Sequence, residues 1–243
     1  MTMPSPRRIH RIATSLHNRQ TDIIVALDGV HDPHNVSAIL RTSDAVGVDR
    51  VIWRPDPEAK WVNPEVTRGS ERWVALEDYD DFLGEMLKFK KSGYKIAATH
   101  LARNAVDFRK IDWTKPWIVV MGNEHRGCTD EVLEIADENI YLPMYGLVQS
   151  LNVSVATAVT LYEIQRQREA AGMYGRKRSR EHVEHMMNRW KLDIEGFTID
   201  ELLTFPEGPQ PDGPEDHQDG RLVPRKRKKT SPSNDEAHER NNI

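Results

Sequence analysis

The feature that most constrains the fold is a regular alternation of short apolar runs with helix-length amphipathic segments. Strands are predicted for the apolar runs at residues 23–27, 51–53, 96–99, 117–121 and 140–142. Helices are predicted near 35–46, 80–92 and 130–136, and a long helix follows the last run to about Ala171. This alternation predicts an α/β fold with a parallel sheet, and it excludes an all-β or all-helical chain.

Length and composition predict one domain with appendages. A chain of 243 residues, 38% of them hydrophobic, can form a single sizeable core. No apolar run approaches the ~20 residues that span a bilayer, and no signal peptide is recognisable, so we expect a cytoplasmic protein without membrane contact. The single cysteine, Cys128, excludes an internal disulfide and leaves no pair for zinc, so we expect no metal. A small residue beside a glycine loop is the favoured interpretation of Cys128, ahead of a nucleophile.

Ligands of open parallel sheets bind beyond the carboxyl ends of the strands. The segments there are 29–35, 99–104, 122–127 and 144–152, and none contains a dinucleotide fingerprint or a P-loop. Ser150 and Asn152 precede the long helix, where they are either helix caps or ligands of a polar group. The apolar face predicted for that helix consists of Val155, Ala158, Val159 and Tyr162.

Three segments carry a resemblance to a known family. They read HDPHNVSAILRTSDAVG at 31–47, MGNEHRGCTDE at 121–131 and IYLPMYGLVQSLNVSVA at 140–156. In order and spacing they resemble the three signature motifs of the SPOUT superfamily of RNA methyltransferases, most closely the TrmH (SpoU) type. That type methylates the ribose 2′-hydroxyl of guanosine 18 in the D-loop of tRNA. The resemblance covers about residues 22–174.

The resemblance implies a fold, a cofactor and a set of site residues. It implies a C-terminal deep trefoil knot, S-adenosylmethionine as cofactor, and a homodimer. The residues at the cofactor positions are Thr99, Gly122, Leu142 and Leu151. The residues at the catalytic positions are Arg41, Asn35, Glu124, Ser150 and Asn152. Family proposals make the arginine a general base, but guanidinium stays protonated in proteins, so phosphate binding and alkoxide stabilisation are physically easier roles.

The charges are segregated along the chain, although the formal net charge is −4. Residues 1–20 contain arginines and no acid, and a second basic cluster follows the long helix. The residues predicted to contact RNA phosphates are Arg7, Arg8, Arg11, Arg176, Lys177 and Arg178, with Arg19 in the same basic segment. The N-terminal segment is either a basic helix that docks RNA or a frayed terminus.

The predicted organisation is a basic helical extension at 1–20, a SPOUT methyltransferase domain at 21–171, a helical extension at 172–205 and a disordered charged tail at 206–243. A basic run at 224–229 is consistent with a nuclear-import signal or a basic tail. A tRNA substrate is expected. A ribosomal RNA target and a non-catalytic RNA-binding protein of the same fold are the alternatives.

Overall fold

The computed structural model describes residues 4–55 and 72–204. In that part of the chain the sheet consists of β1 (Ile23–Asp28), β2 (Arg50–Arg54), β3 (Ala75–Asp78), β4 (Lys95–Thr99), β5 (Val106–Asp107), β6 (Trp117–Gly122) and β7 (Glu138–Tyr141). The helices are α1 (Pro6–His17), α2 (Pro33–Ala45), α3 (Phe82–Lys91), α4 (Asp130–Ile135), α5 (Val153–Ala170), α6 (Arg180–Arg189) and α7 (Ile199–Leu203).

All seven described strands form one sheet in the order β3-β2-β1-β6-β4-β7-β5, and every pairing between them is parallel. The predicted parallel α/β fold is therefore confirmed. The strands β3 and β5 were not predicted, because β3 is half-buried and mixes polar with apolar residues and β5 has only two residues. Both lie at the edges of the sheet, where a strand needs fewer apolar side chains.

The sheet has a hydrophobic layer on each face because strand side chains alternate. Ile23, Val25 and Leu27 of β1 lie in one cluster, which also contains buried residues of α2 and α5. Ile24 and Ala26 lie in the second cluster, with buried residues of α3 and α4. Strand β1 is thus buried on both faces, as expected for a central parallel strand.

The apolar face predicted for the long helix is wrong. Val155, Val159 and Tyr162 are 47%, 42% and 55% exposed. The face that packs on the sheet consists instead of Val153, Thr157, Thr160, Leu161, Ile164 and Arg168. Its threonines can be buried because each hydroxyl donates to a carbonyl one turn earlier in the helix, at 2.7 and 2.9 Å.

Arg168 is buried because it connects the end of α5 to the start of β1. Its guanidinium donates to both carboxylate oxygens of Asp22, at 2.6 and 2.9 Å, and to the Trp113 carbonyl at 2.9 Å. Arg19 has a similar structural role, since it donates to Asp44 at 2.5 Å and to the Val48 carbonyl at 3.2 Å. Arg19 is 1% exposed, so it differs from the exposed Arg7 and Arg11 of the same basic segment.

The two ends of the described chain share a third hydrophobic cluster. It contains Ala13 and Leu16 of α1, Val183 and Met186 of α6, and Trp190. The N-terminal segment is therefore a helix with a packed face rather than a frayed terminus, and its N-cap is Ser5. The predicted tail at 206–243 and its basic run lie outside the described residues.

Residues 4–55 and 72–204 contain neither a membrane-spanning helix nor a cluster of metal ligands. None of the helices described there is long and apolar enough to cross a membrane. Within the same ranges, His, Cys, Asp and Glu side chains form no group of three suited to holding a metal ion.

Candidate active site

A chain of side-chain hydrogen bonds joins all three motif segments at the carboxyl edge of the sheet. The Asn35 amide nitrogen donates to Oε1 of Glu124 at 2.8 Å, and Nδ2 of Asn152 donates to Oδ1 of Asn35 at 3.1 Å. These residues follow β1, β6 and β7, whose carboxyl ends lie at the same edge because the strands are parallel. The structure thus brings together three of the five residues predicted to be catalytic.

Glu124 is half-buried and held in its ionised form. Burial alone would raise its pKa, but hydrogen bonds from Asn35 and from main-chain N–H groups, including that of His31 at 3.2 Å, lower the pKa below its usual value. The carboxylate can therefore orient amide and hydroxyl groups at neutral pH.

Asn152 is a helix cap, as its position suggested, and it also bonds a second motif residue. It is the N-cap of α5, because its Oδ1 accepts from the Ser154 amide at 2.9 Å and from the Ser154 hydroxyl at 2.6 Å. Its Nδ2 remains for Asn35. Asn35 itself is not a cap, since Asp32 caps α2 by accepting from the His34 amide at 2.8 Å.

The loop that carries Glu124 folds tightly back on the end of β6. Asn123 and Gly127 exchange two main-chain hydrogen bonds, at 2.9 and 2.8 Å. Gly122 is required for this turn, because a Cβ there would lie 2.2 Å from the Cys128 nitrogen and from the Gly127 carbonyl carbon. The close approach at Gly122 is therefore made by the protein's own main chain.

Arg41 and Ser150 are not part of this hydrogen-bonded chain. Both are exposed, and neither makes a side-chain hydrogen bond or ion pair within the described residues. Arg41 lies six residues after Asn35 in α2, which places it roughly 240° around the helix and about 9 Å along its axis. Both side chains can therefore bind a group that does not belong to the described residues.

The residues predicted to bind cofactor lie around the same edge. Thr99, Leu142 and Leu151 are partly buried, and the Thr99 hydroxyl donates to the Val120 carbonyl at 3.0 Å. Between the two leucines, the main chain of residues 143–151 makes no main-chain hydrogen bond to any described residue. Apolar side chains beside unpaired N–H and C=O groups suit a neutral purine.

Cys128 is buried near the end of the loop that carries Glu124, next to Thr99. Burial raises the pKa of its thiol to about 12, so the thiolate that a nucleophile requires is absent at neutral pH. The interpretation as a small packing residue fits this environment.

The basic residues divide into an exposed and an internal group. Arg7, Arg11, Arg176 and Lys177 are exposed, and Arg8 is half-exposed beside Glu195. Arg178 is different, because its guanidinium donates to the Arg19 carbonyl and burial lowers its pKa. The Arg178 side chain thus connects the segment after α5 to the residues that follow α1, and its contact with RNA phosphate stays a prediction.

Sequence reasoning missed the residues that hold the Glu124 loop. Asn123 donates to the Gly29 carbonyl at 2.7 Å, while the buried carboxylate of Asp28 binds Thr129 and Arg54. Asp28 could have been noticed as a polar residue that directly follows a buried strand. Nothing in the sequence pairs it with Arg54.

The fold and this site define a SpoU-type methyltransferase, and the chain belongs to the SpoU rRNA Methylase family, whose model matches residues 22–162. The tRNA (guanosine(18)-2′-O)-methyltransferase of Aquifex aeolicus is 45% identical over 189 residues, which are 77% of this chain and 90% of the relative. The crystal structure of the A. aeolicus TrmH/SpoU tRNA modifying enzyme is similar with a TM-score of 0.71 and 45% identity, over 77% of this chain and 96% of that one.

A further solved structure gives the fold with a cofactor. The SpoU methyltransferase AviRb from Streptomyces viridochromogenes, in complex with AdoMet, is similar with a TM-score of 0.55 and 25% identity, over 62% of each chain. The predicted membership of the TrmH (SpoU) type is confirmed.

Proposed function

We propose that this chain is an S-adenosylmethionine-dependent RNA ribose 2′-O-methyltransferase that acts on guanosine 18 in the D-loop of tRNA. The observation that carries the proposal is the hydrogen-bonded chain Glu124–Asn35–Asn152, which unites the three motif segments at the ligand-binding edge. The tRNA specificity is supported by the A. aeolicus relative, which is named for that nucleotide.

The cofactor would lie against the main chain of residues 143–151. Its N–H and C=O groups would meet the edge of the adenine, and Leu142 and Leu151 would cover the faces of the ring. Thr99 and Gly122 would shape the floor at the ends of β4 and β6. When bound, S-adenosylmethionine supplies an electrophilic methyl group.

The protein must hold the ribose hydroxyl and assist the loss of its proton. Glu124 fixes the amide of Asn35, which in turn fixes Asn152, so two polar side chains are held ready beside the substrate. Ser150, which is exposed, would hydrogen-bond the nucleotide. Arg41 would bind the adjacent phosphate and stabilise the developing alkoxide, while the proton leaves to that phosphate or to water.

The RNA would be held by the helical extensions. Arg7, Arg8 and Arg11 lie on α1, whose apolar face packs against α6, and Arg176 and Lys177 lie just before α6. Because the two extensions share one hydrophobic cluster, we treat them as one helical unit that carries both groups of basic residues. The predicted boundaries near residues 20 and 172 would then separate the catalytic domain from one shared helical unit.

The trefoil knot and the homodimer are part of the proposal. After β7, near one edge of the sheet, the chain returns across the ends of β4 and β6 to reach Asn35 near β1, as a knotted crossing requires. The exposed apolar residues Val155, Val159 and Tyr162 of α5 offer a second copy of the chain a surface to cover. The tRNA substrate would place the protein in the cytoplasm.

The test is methyl transfer from labelled S-adenosylmethionine to total tRNA and to total ribosomal RNA, followed by mapping of the modified ribose. We expect label in tRNA at guanosine 18, and none in a matched tRNA that carries 2′-deoxyguanosine there. Label confined to ribosomal RNA would overturn the substrate, and no label in either RNA would favour a non-catalytic RNA-binding protein.

A further inference from the structure

Asp28 is a buried carboxylate at the carboxyl end of β1, 1% exposed, and both of its oxygens are bound. Oδ1 accepts from Nε of Arg54 at 3.1 Å and also from Nη2 of the same guanidinium. Oδ2 accepts from the Thr129 amide at 2.7 Å and from the Thr129 hydroxyl at 3.0 Å. A buried carboxylate is stable only when charged or hydrogen-bonding groups surround it, so Asp28 requires Arg54 and Thr129 at these positions.

These bonds hold the far end of the loop that carries Glu124. The near end is held by the neighbouring residue, because Nδ2 of Asn123 donates to the Gly29 carbonyl at 2.7 Å. The Gly29 amide in turn donates to the Arg54 carbonyl at 2.9 Å. Thus Asp28, Gly29 and Arg54 fix both ends of the loop at residues 123–129 through hydrogen bonds.

The loop has little freedom between these two ends. Asn123 accepts at its Oδ1 from the amides of His125 and Arg126, at 2.9 and 3.1 Å. The main chain at Gly127 fills the space where Gly122 lacks a Cβ. Consequently a shift at Thr129 is transmitted to the main chain at Glu124 rather than absorbed on the way.

We propose that Asp28, with Arg54 as its charge partner, is a positioning residue that sets Glu124 for the methyl transfer reaction. The inference rests on the function proposed above. Asp28 does not itself reach the substrate, since it is covered, and it acts by fixing the loop. Thr129 is the connection between the carboxylate and the loop.

The chain offers a matched control at the opposite end of the same strand. Asp22 precedes β1 and pairs with the buried Arg168 through two hydrogen bonds of 2.6 and 2.9 Å, so it too is a carboxylate held by an arginine. It lies at the amino edge, away from Glu124. If the variants act only by lowering stability, both aspartate variants should lose activity alike. If Asp28 positions the loop, only its variant should lose kcat.

The experiment compares Asp28→Asn with Asp22→Asn in steady-state methyl transfer to tRNA. We expect kcat to fall about 10- to 100-fold in Asp28→Asn, because small misplacements of catalytic groups have effects of that size, with the KM for tRNA changed less than about twofold. Asp22→Asn should lower the melting temperature and keep kcat. Thr129→Val should lower kcat, as Asp28→Asn does, because it removes the hydroxyl. Thr129→Ser should keep kcat near the wild-type value because it retains the hydroxyl.

A double-mutant cycle separates positioning from general structural damage. If Asp28 acts through Glu124, adding Asp28→Asn to Glu124→Gln should reduce kcat by less than about twofold further. Losses that multiply, or equal losses of kcat in the two aspartate variants, overturn the proposal.

Amide hydrogen exchange tests the same idea without activity. Asp28→Asn should speed exchange of the amides at 123–129, and Asp22→Asn should leave them protected. Unchanged protection in Asp28→Asn would refute the inference. If the wild-type protein transfers no methyl group, the proposed function fails, and the exchange data still decide whether Asp28 fixes the loop.

Discussion

Replacing Asn35 by alanine removes the central link between Glu124 and Asn152. A hydrogen bond to an ionised group contributes about 1.5–3 kcal/mol, and one between neutral amides about 0.5–1.5 kcal/mol. Glu124 is half-exposed and keeps its hydrogen bond from the His31 amide at 3.2 Å, so the lower value of each range applies. We therefore expect the free energy of unfolding to fall by about 2 kcal/mol. For a domain of this size that lowers the melting temperature by about 4–8 °C.

The effect on catalysis should be larger than the effect on stability. With both polar partners released, turnover should fall by about 100-fold or more. The loss of the Asn35 donor should also raise the pKa of Glu124 and move the acidic limb of the pH–rate profile to higher pH. The assays are thermal unfolding and single-turnover transfer to tRNA across pH.

Ser37→Ala is the control for this experiment. Ser37 is a buried residue of the same helix, and its hydroxyl donates within the helix to the Pro33 carbonyl at 2.8 Å, away from Glu124. Its removal should lower stability slightly and leave turnover and the pH profile unchanged. If Asn35→Ala behaves like Ser37→Ala, the hydrogen-bonded chain has no part in catalysis.

Other variants test the remaining assignments. Arg41→Ala should reduce turnover by about two powers of ten or more and leave the melting temperature unchanged, because the side chain is exposed; near-normal turnover would remove it from the mechanism. Arg7→Ala with Arg11→Ala should flatten the dependence of log affinity for tRNA on log salt by about 1.4–1.8, and an equal slope would show that α1 does not contact phosphate. Gly122→Ala would set a Cβ 2.2 Å from main-chain atoms, so calorimetry should show weaker binding of S-adenosylmethionine together with a lower melting temperature; a normal affinity would contradict the role of this turn. Burial lowers the pKa of His17 below 6.5, so the unfolded chain binds this proton at higher pH than the folded chain, and stability falls as the pH drops below that value. His17→Gln should lessen that fall in melting temperatures measured from about pH 7 to 5.5, and an unaltered slope would exclude His17.

The layered fold could be predicted because its signal is local. Short apolar runs such as 117–121, separated by helix-length segments, are typical of buried parallel strands, and the helices between them follow from periodicity. The edge strands β3 and β5 give no such signal. The face of α5 was predicted wrongly because Thr157, Thr160 and Arg168 are polar in the sequence, yet they satisfy their hydrogen bonds inside the protein.

The candidate site was predictable mainly through the resemblance of its motifs, although the position of Asn152 before the long helix had already singled it out. Asn35, Glu124 and Asn152 were each named on that ground, while their mutual contacts depend on the order of strands in the sheet. The partnership of Asp28 with Arg54 could not be predicted, because it arises from the register of β1 against β2. Likewise, Arg178 and an exposed arginine look the same in sequence, and only burial separates them.

The hydrophobic cluster shared by α1 and α6 can form only after α6 has been synthesised. Helix α1 has 12 residues, a length that is marginal for an isolated helix in water, and it is synthesised among the first elements. The residues that cover its apolar face are synthesised last among the described helices, so this contact spans nearly the whole described chain. On the ribosome the sheet can assemble before α1 finds its partners. A chain that ends before α6 would thus contain all seven described strands, but its α1 would lack the residues that cover its apolar face.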